Sequence, residues 1–262
     1  MDLEKDLLII TSITPSSEMA VKGNNLTPII IAGKGYDKGI LFSTTTKRNG
    51  LLANIDIPTA ITSFFNIDKY PTMIGGELST NPNFDISTVE KLEGRSIRNY
   101  IYRPIIIKTY IGLQIIVFLA ASIFLMIKKR PFPKLMFIIK KLMPVIASVP
   151  LALLIISPLN PSSIYIFSFC LLLAIMIIVG STYIIHRKNP FIWISSITFL
   201  FLIFDIIAGS QLMKISLFGY CPIIGGRFYG IGNEYMGVLI GSLITSSTLF
   251  LDKYNAHNNR IP

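Results

Sequence analysis

The sequence predicts an α/β partial domain followed by an all-α transmembrane bundle of about five helices. Hydrophobic residues make up 52% of the chain and charged residues only 15%, whereas a soluble domain carries about 25% charged residues. The charges are unevenly divided: residues 1–103 hold eleven Lys/Arg and eleven Asp/Glu, and residues 104–262 hold thirteen and three. Long apolar runs lie only in the second segment, which is therefore predicted to be the membrane domain.

The N-terminal segment contains short apolar runs that are typical of strands. Residues 7–12 and 28–32 are β-rich, are bounded by turn residues, and predict two buried strands. A polar loop at 43–50 precedes a helical pattern that starts or breaks at Pro58. Strand, loop, strand and helix in this order favour an α/β domain. Residues 66–103 show little periodicity and are predicted to be a loose connection or a lid-like extension.

The second segment contains apolar runs long enough to be transmembrane helices, because about 20 residues at 1.5 Å per residue cross a core of roughly 30 Å. The predicted spans are 104–127, 138–157, 163–185, 191–208 and 235–251. The second span contains two prolines and is expected to be kinked. Gly237 and Gly241 have the spacing of small residues at close helix contacts, which predicts tight packing of the last span within the bundle.

Lys and Arg residues between the spans predict the orientation, because cytoplasmic loops carry an excess of them. The connection 128–141 holds six cations. This connection and residues 186–190 are therefore expected in the cytoplasm, with the protein in the cell membrane. Residues 1–103 and the loop 209–234 are then expected on the extracytoplasmic side.

The start of the chain has no export signal that would carry an extracytoplasmic domain across a membrane. Its first residues are acidic, and the apolar run that follows is too short for the central region of a signal peptide. The chain also ends soon after its last apolar run. We therefore expect it to be a fragment of a longer protein.

The composition argues against several classes of function. The excess positive charge lies beside apolar runs, so membrane lipids with anionic headgroups are the expected partners and nucleic acid is not. Two cysteines, Cys170 and Cys221, give no disulfide framework. Two distant histidines, His186 and His257, assemble no zinc site from this chain alone.

The glycine-rich segment 219–234 is the most unusual stretch of the sequence. Consecutive backbone N–H groups in such a turn can bind an anion, and Arg227 adds a fork for phosphate or carboxylate. We therefore consider Arg227, Asn233 and Glu234 candidates for binding an anionic or glycosylated lipid headgroup. The alternative is a re-entrant loop packed among helices, in which Arg227 and Glu234 pair for stability.

Asp205 is an ionisable residue inside the fourth predicted span. Such a residue costs roughly 2.5–3.5 kcal/mol on insertion scales and is a functional candidate by default. Its natural partner is Arg227, provided that the glycine-rich loop folds back into the membrane. Alternatively, Asp205 lies near enough to the outer interface to reach water.

Four stretches in residues 7–65 carry a resemblance to a known family: 7–12, 27–33, 43–50 and 54–59. They resemble the last strands and helix of the alkaline-phosphatase superfamily, which includes sulfatases and cofactor-independent phosphoglycerate mutases. The loop 226–234 extends the likeness. With it, the whole chain resembles the C-terminal part of bacterial membrane proteins that join a phosphatase-like outer domain to a polytopic membrane domain.

The chain departs from that family where catalysis would occur. Active members carry an Asp-His-Gly metal-ligand triplet after the strand corresponding to 7–12, and this chain has Ile13-Thr14-Pro15 there. A two-metal phosphatase needs several Asp or His ligands and a Ser or Thr nucleophile, and none can be placed in residues 1–103. No catalytic residue, metal ligand or cofactor is therefore assigned in this chain. A divalent metal is expected only in an intact, longer protein, and enzymatic activity stays open.

The leading interpretation is a bacterial cell-envelope membrane protein, related to the phosphatase superfamily, that acts on or binds an anionic lipid or glycan. One alternative is a transporter or flippase-like protein in which Asp205, Arg227 and Glu234 line a path. Another is a non-catalytic membrane scaffold, which the missing Asp-His-Gly triplet favours.

Overall fold

The structure is a computed structural model that describes residues 2–127, 133–185, 189–219, 221–225 and 228–258. The chain divides into two compact units. The N-terminal unit extends to Ile101 and also includes the segment Cys221–Tyr229, and the helical unit contains the remainder.

The N-terminal unit contains two small antiparallel sheets. Strand β1 pairs with β2, with Leu7 opposite Gly33. Strand β3 lies between β4 and β5 and pairs antiparallel with both. The elements of the N-terminal unit are β1 (Leu7–Thr11), α1 (Ser17–Val21), β2 (Ile29–Gly33), β3 (Ile40–Ser43), β4 (Arg48–Asn49), α2 (Asp56–Phe64), β5 (Leu78–Asn81) and the start of α3 (Ile86–Met126).

The structure contains strands at both predicted strand positions, 7–12 and 28–32, and a helix that includes Pro58. The predicted polar loop 43–50 instead forms a tight turn between β3 and β4, because Lys47 N donates to Ser43 O over 2.8 Å. Every strand pairing among the described residues is antiparallel. The α/β domain expected from the order of elements would rest on parallel strands, so the fold does not confirm an alkaline-phosphatase-like remnant.

Helix α3 begins at Ile86, well before the start of the first predicted span at residue 104. Pro104 lies inside it, where the missing N–H removes one backbone hydrogen bond without ending the helix. The prediction of a loose connection over 66–103 is therefore wrong, because this stretch contains β5 and the first turns of α3. The sequence did not predict this early start, because the apolar run begins only at Pro104 and the helical turns before Pro104 are polar.

The helical unit is a bundle of long helices. Five helices in the described part of the chain are long and apolar enough to cross a membrane. They confirm the prediction of a helical bundle of about five apolar helices and support a multi-pass membrane protein. They are α3 (Ile86–Met126), α4 (Pro133–Ile155), α5 (Ile164–Ile185), α6 (Pro190–Ile207) and α8 (Asn233–Asn258), and the short α7 (Gln211–Ile215) precedes α8.

The bundle has a buried core and a strongly apolar outside. Leu153, Leu154 and Ile194 are almost completely buried in the core. In contrast, Leu125 is 79% exposed and Phe204 is 76% exposed. Large apolar side chains are exposed along most of the length of the bundle helices, and such an extended apolar surface is rare on a water-soluble protein. It is expected where helices face lipid chains.

The glycine pair of the last span does not form the predicted close helix contact within this chain. A Cβ atom added at Gly237 or Gly241 would meet no described atom within 4 Å. Small residues promote helix association by letting backbones approach closely. Gly237 and Gly241 are exposed, and α8 instead packs against α6 through other residues.

Candidate functional site

Asp205 caps the short helix α7 in the helical unit. Its Oδ1 accepts a hydrogen bond from Leu212 N over 2.8 Å, and its Oδ2 accepts one from Met213 N over 2.9 Å. The first N–H groups of a helix have no partner within the helix, and a carboxylate there also favours the helix dipole. Asp205 is only 5% exposed, so it does not lie at a water-accessible interface.

Arg103 and Glu234 form an ion pair between the helices α3 and α8. The pair joins Arg103 Nη2 to Glu234 Oε1, and Arg103 Nη1 also donates to Gly219 O over 2.5 Å. The two side chains are 17% and 31% exposed. Glu234 Oε2 is buried and accepts no hydrogen bond within the described chain. We call Arg103, Gly219 and Glu234 the Arg103–Glu234 cluster. Only one of the two carboxylate oxygens of Glu234 has a partner within the described chain.

The backbone beside this cluster can come close only because residue 219 is glycine. A Cβ atom there would lie 2.0 Å from Met213 O, which is far inside any real contact. Met213 is also the residue whose N–H is bound by Asp205. Asp205, α7 and Gly219 are therefore parts of one connected arrangement that positions the carbonyl to which Arg103 donates.

The start of α8 is fixed by a buried hydroxyl pair next to the cluster. Tyr235, the neighbour of Glu234 in the chain, is completely buried, and its hydroxyl lies 2.7 Å from Ser216 Oγ. Ser216 Oγ also donates to Leu153 O over 3.2 Å. The ring of Tyr235 packs edge-on against Phe218, with centroids 5.2 Å apart. These contacts hold Glu234 in place relative to α4 and α7.

The structure places the four predicted site residues in different situations. Asp205 is a helix cap, Glu234 pairs with Arg103, and Asn233 is the exposed first residue of α8. Arg227 lies outside the described residues, so its expected pairing with Asp205 or Glu234 stays a prediction. Arg103 was missed because it counted only as one cation beside the first span. The signal that would have found it is a cation and an acid at the starts of two spans that run in the same direction.

Part of the glycine-rich segment packs within the N-terminal unit. Arg48 Nε donates to Phe228 O over 2.7 Å, and Lys47 Nζ lies 4.4 Å from the centroid of the Tyr229 ring. Cys221 Sγ donates to Ser96 O over 3.3 Å. The described residues of 221–229 therefore do not show the re-entrant packing among helices that one interpretation expected.

Burial also changes the chemistry of the arginine that holds this segment. Arg48 is 9% exposed, and removal from water lowers its pKa to about 10, while its interaction with Cys221 acts in the opposite direction. Arg48 nevertheless stays protonated at neutral pH. Its cationic N–H group makes a stronger bond to the Phe228 carbonyl than a neutral donor would.

Asp56 is the fully buried acid of the N-terminal unit, and four donors surround it. Ser43 Oγ and Ala53 N donate to Oδ2 over 2.7 and 2.9 Å. Thr45 Oγ1 and Gly76 N donate to Oδ1 over 2.5 and 2.8 Å. Both oxygens are occupied by the chain itself, so this carboxylate is structural. Among the described residues, no group of three or more His, Cys, Asp or Glu side chains is arranged to hold a metal ion.

Comparisons of the chain with protein-family models, with curated proteins and with solved structures find no match. The class that the fold supports is a multi-pass membrane protein, on the strength of its five long apolar helices. The likeness to the phosphatase superfamily and the bacterial origin receive no support from these comparisons and stay predictions.

Proposed function

We propose that this protein is a multi-pass membrane protein of the bacterial cell envelope that binds an anionic or glycosylated lipid at the Arg103–Glu234 cluster. The proposal rests on the ion pair between Arg103 and Glu234, in which Glu234 Oε2 has no partner within the described chain. Arg103 has five N–H donors, and its described contacts use only Nη1 and Nη2. A lipid phosphate would bind the remaining guanidinium face, and a sugar hydroxyl would donate to Glu234 Oε2.

The position of Arg103 along its helix supports this assignment. Arg103 immediately precedes the apolar part of α3, and Glu234 lies in the first turn of α8. Both side chains are therefore expected at the level of lipid headgroups rather than of lipid chains.

The resemblance to phosphatase-like membrane proteins supports an extracytoplasmic N-terminal unit in this proposal. In this proposal the N-terminal unit is extracytoplasmic and the helical unit binds the lipid. A divalent metal and catalysis belong to the proposal only for a longer protein that supplies the ligands and the nucleophile, because no residue of this chain is assigned to either.

Lipid preference of the whole chain tests the proposal. The purified protein in mild detergent would be titrated with phosphatidylglycerol and with phosphatidylcholine, and bound lipid counted by native mass spectrometry. We expect tighter retention of the anionic lipid. Replacing Arg103 by Gln should lower this preference about tenfold, since one charge-assisted contact contributes roughly 1.5 kcal/mol.

Lys108→Gln is the matched control, because it removes one exposed cation from the same helix. We expect it to leave most of the preference intact. Equal losses in the two variants would show non-specific attraction and contradict a site at the cluster. If the unmodified protein shows no preference for the anionic lipid, the proposal is contradicted and the non-catalytic scaffold is favoured.

The transporter alternative is less well supported by the geometry. It requires Asp205 to line a path and bind a passing substrate. Both oxygens of Asp205 already accept backbone hydrogen bonds, and freeing them would leave two amides of α7 without partners. A binding role at the cluster needs no such rearrangement.

A further inference from the structure

The helical unit contains a cavity that is separate from the Arg103–Glu234 cluster. Its volume is about 300 Å³, and it is lined by α3, α4, α6 and α8. Most of its wall is apolar, as at Val117, Ile146, Ile194 and Val238. None of the three cluster residues lines it, so the function proposed above does not account for this cavity.

The lining of the cavity follows its helices lengthwise. Its lining extends from Tyr110 to Phe118 on α3 and from Met143 to Pro150 on α4. At 1.5 Å per residue these stretches measure about 10–12 Å. They lie in the middle of apolar helices, at the expected depth of lipid chains. The lining thus runs along the helices, in the direction in which lipid chains are expected to extend.

Most polar groups in the wall have already found partners in their own helices. Ser195 Oγ donates to Phe191 O, Thr198 Oγ1 to Ile194 O, and Ser242 Oγ to Leu239 O, over 2.6 to 3.0 Å. Hydroxyls bonded in this way offer no free proton to water. An enclosed apolar cavity of about 150 Å³ stays dry and accepts apolar molecules. The mostly apolar wall likewise makes water a poor occupant here.

Two polar side chains in the wall differ from the rest. Tyr110 and Gln114 lie one turn apart on α3 and both line the cavity. Within the described residues, neither the Tyr110 hydroxyl nor the Gln114 amide forms a hydrogen bond to another residue. Residues four apart in a helix are on the same face, and polar groups without partners are costly in a hydrocarbon environment.

We propose that this cavity binds one hydrocarbon chain of a lipid, and that Tyr110 and Gln114 can hold a polar group belonging to that lipid. The hydrocarbon chain comes from one of two sources: a bilayer phospholipid, or a neutral lipid whose hydroxyl reaches the depth of Gln114.

Photochemical labelling of the whole chain in phosphatidylcholine nanodiscs tests the proposal. One probe is a phosphatidylcholine with a diazirine in its acyl chain, and the other is a long-chain alcohol with a diazirine. Labelled positions are mapped by peptide mass spectrometry. Ile194 and Thr198 are 1% and 2% exposed, so bulk lipid cannot reach them from outside. We expect label at these two residues.

Filling the cavity should remove that label. A Cβ atom at Gly241, which lines the cavity, meets no described atom within 4 Å. Gly241→Phe should therefore lower labelling of Ile194 and Thr198 roughly fivefold or more, because the ring takes much of the space. Gly180→Phe is the matched control, since Gly180 is equally open but lies on α5, which does not line the cavity.

A second variant that fills the cavity from another helix keeps the test valid if Gly241→Phe does not fold. Ala147→Phe fills the cavity from α4, and thermal midpoints of all variants show which of them keep the fold. The proposal is overturned if Ile194 and Thr198 stay unlabelled by both probes while lipid-facing Phe204 is labelled. Label that persists in both filled variants overturns it as well.

The two probes distinguish the sources of the chain. If the phosphatidylcholine probe labels the cavity and Gln114→Leu leaves this labelling unchanged, the bound chain belongs to a phospholipid. If the alcohol probe labels the cavity and Gln114→Leu reduces this labelling, the bound chain belongs to a neutral lipid. Both probes are uncharged overall, so the result is independent of anionic-lipid preference, and either proposal can fail while the other holds.

Discussion

The N-terminal unit and the helical unit each contain a buried aspartate, but the two side chains are satisfied in different ways. Asp56 accepts from two hydroxyls and two backbone amides that belong to β3, the turn after it, the segment before α2 and the segment before β5. Within the described residues, Asp205 accepts side-chain hydrogen bonds from two successive amides at the start of α7. One carboxylate joins distant segments, and the other caps a local turn.

This difference teaches what each acid contributes to the fold. Gly76 N, which donates to Asp56, is twenty residues away in sequence, and a Cβ atom at Gly76 would lie 2.3 Å from Thr44 Oγ1. The surroundings of Asp56 therefore depend on tertiary structure. The donors to Asp205 lie seven and eight residues away. Loss of Asp56 should loosen a whole unit, whereas loss of Asp205 should loosen one turn.

The largest expected effect follows from replacing Asp56 by Ala. Four donors would lose their acceptor inside the N-terminal unit, and we expect a loss of about 3–5 kcal/mol in the free energy of opening that unit. The rate of native-state proteolysis within residues 40–80 should then rise on the order of a hundredfold or more.

Asp68→Ala is the matched control, because Asp68 is an exposed aspartate of the same unit. We expect its proteolysis rate to match that of the unmodified protein. Similar rates for Asp56→Ala and Asp68→Ala would mean that the hydrogen bonds around Asp56 contribute little, and the contrast between the two buried acids would disappear.

A smaller and more local effect is expected for Asp205→Ala. The amides of Leu212 and Met213 would lose their acceptors, which costs about 2–3 kcal/mol. Hydrogen exchange of these amides should accelerate, and exchange in the N-terminal unit should not change. Asp205→Asn keeps one acceptor oxygen and should have about half the effect. Faster exchange throughout the chain would show that Asp205 supports more than α7.

The helical bundle could be predicted from the sequence because a bilayer imposes both length and composition on every span. The N-terminal unit could be predicted only in part. The runs 7–12 and 28–32 contain strands as predicted, since β-branched residues between turn residues are a local signal. The start of α3 at Ile86 was not predicted, because Pro104 and the apolar run after it indicated a helix that begins at residue 104.

The candidate site shows a similar limit. Sequence reasoning selected Glu234 from a glycine-rich segment, but its partner Arg103 is 131 residues away, and no local pattern connects them. Asp205 was selected as an ionisable residue in a span, which is a general rule about cost. That rule cannot distinguish a ligand-binding acid from a helix cap, because the difference depends on where α7 lies.

The smallest effect tests how the start of α8 is held beside the cluster. Tyr235→Phe keeps the ring contact with Phe218 and removes the hydroxyl next to Ser216 Oγ. We expect a loss of about 1 kcal/mol, or roughly 2–4 °C in the thermal midpoint. Ser216→Ala should have a similar effect. The double variant should lose less than the sum, because each single change already removes the contact between the two hydroxyls. Strictly additive losses would mean that ring packing, not the hydroxyl pair, positions Glu234. The start of α8 would then be held as the apolar core is held, without the specific hydrogen bonds that fix Asp56 and Asp205.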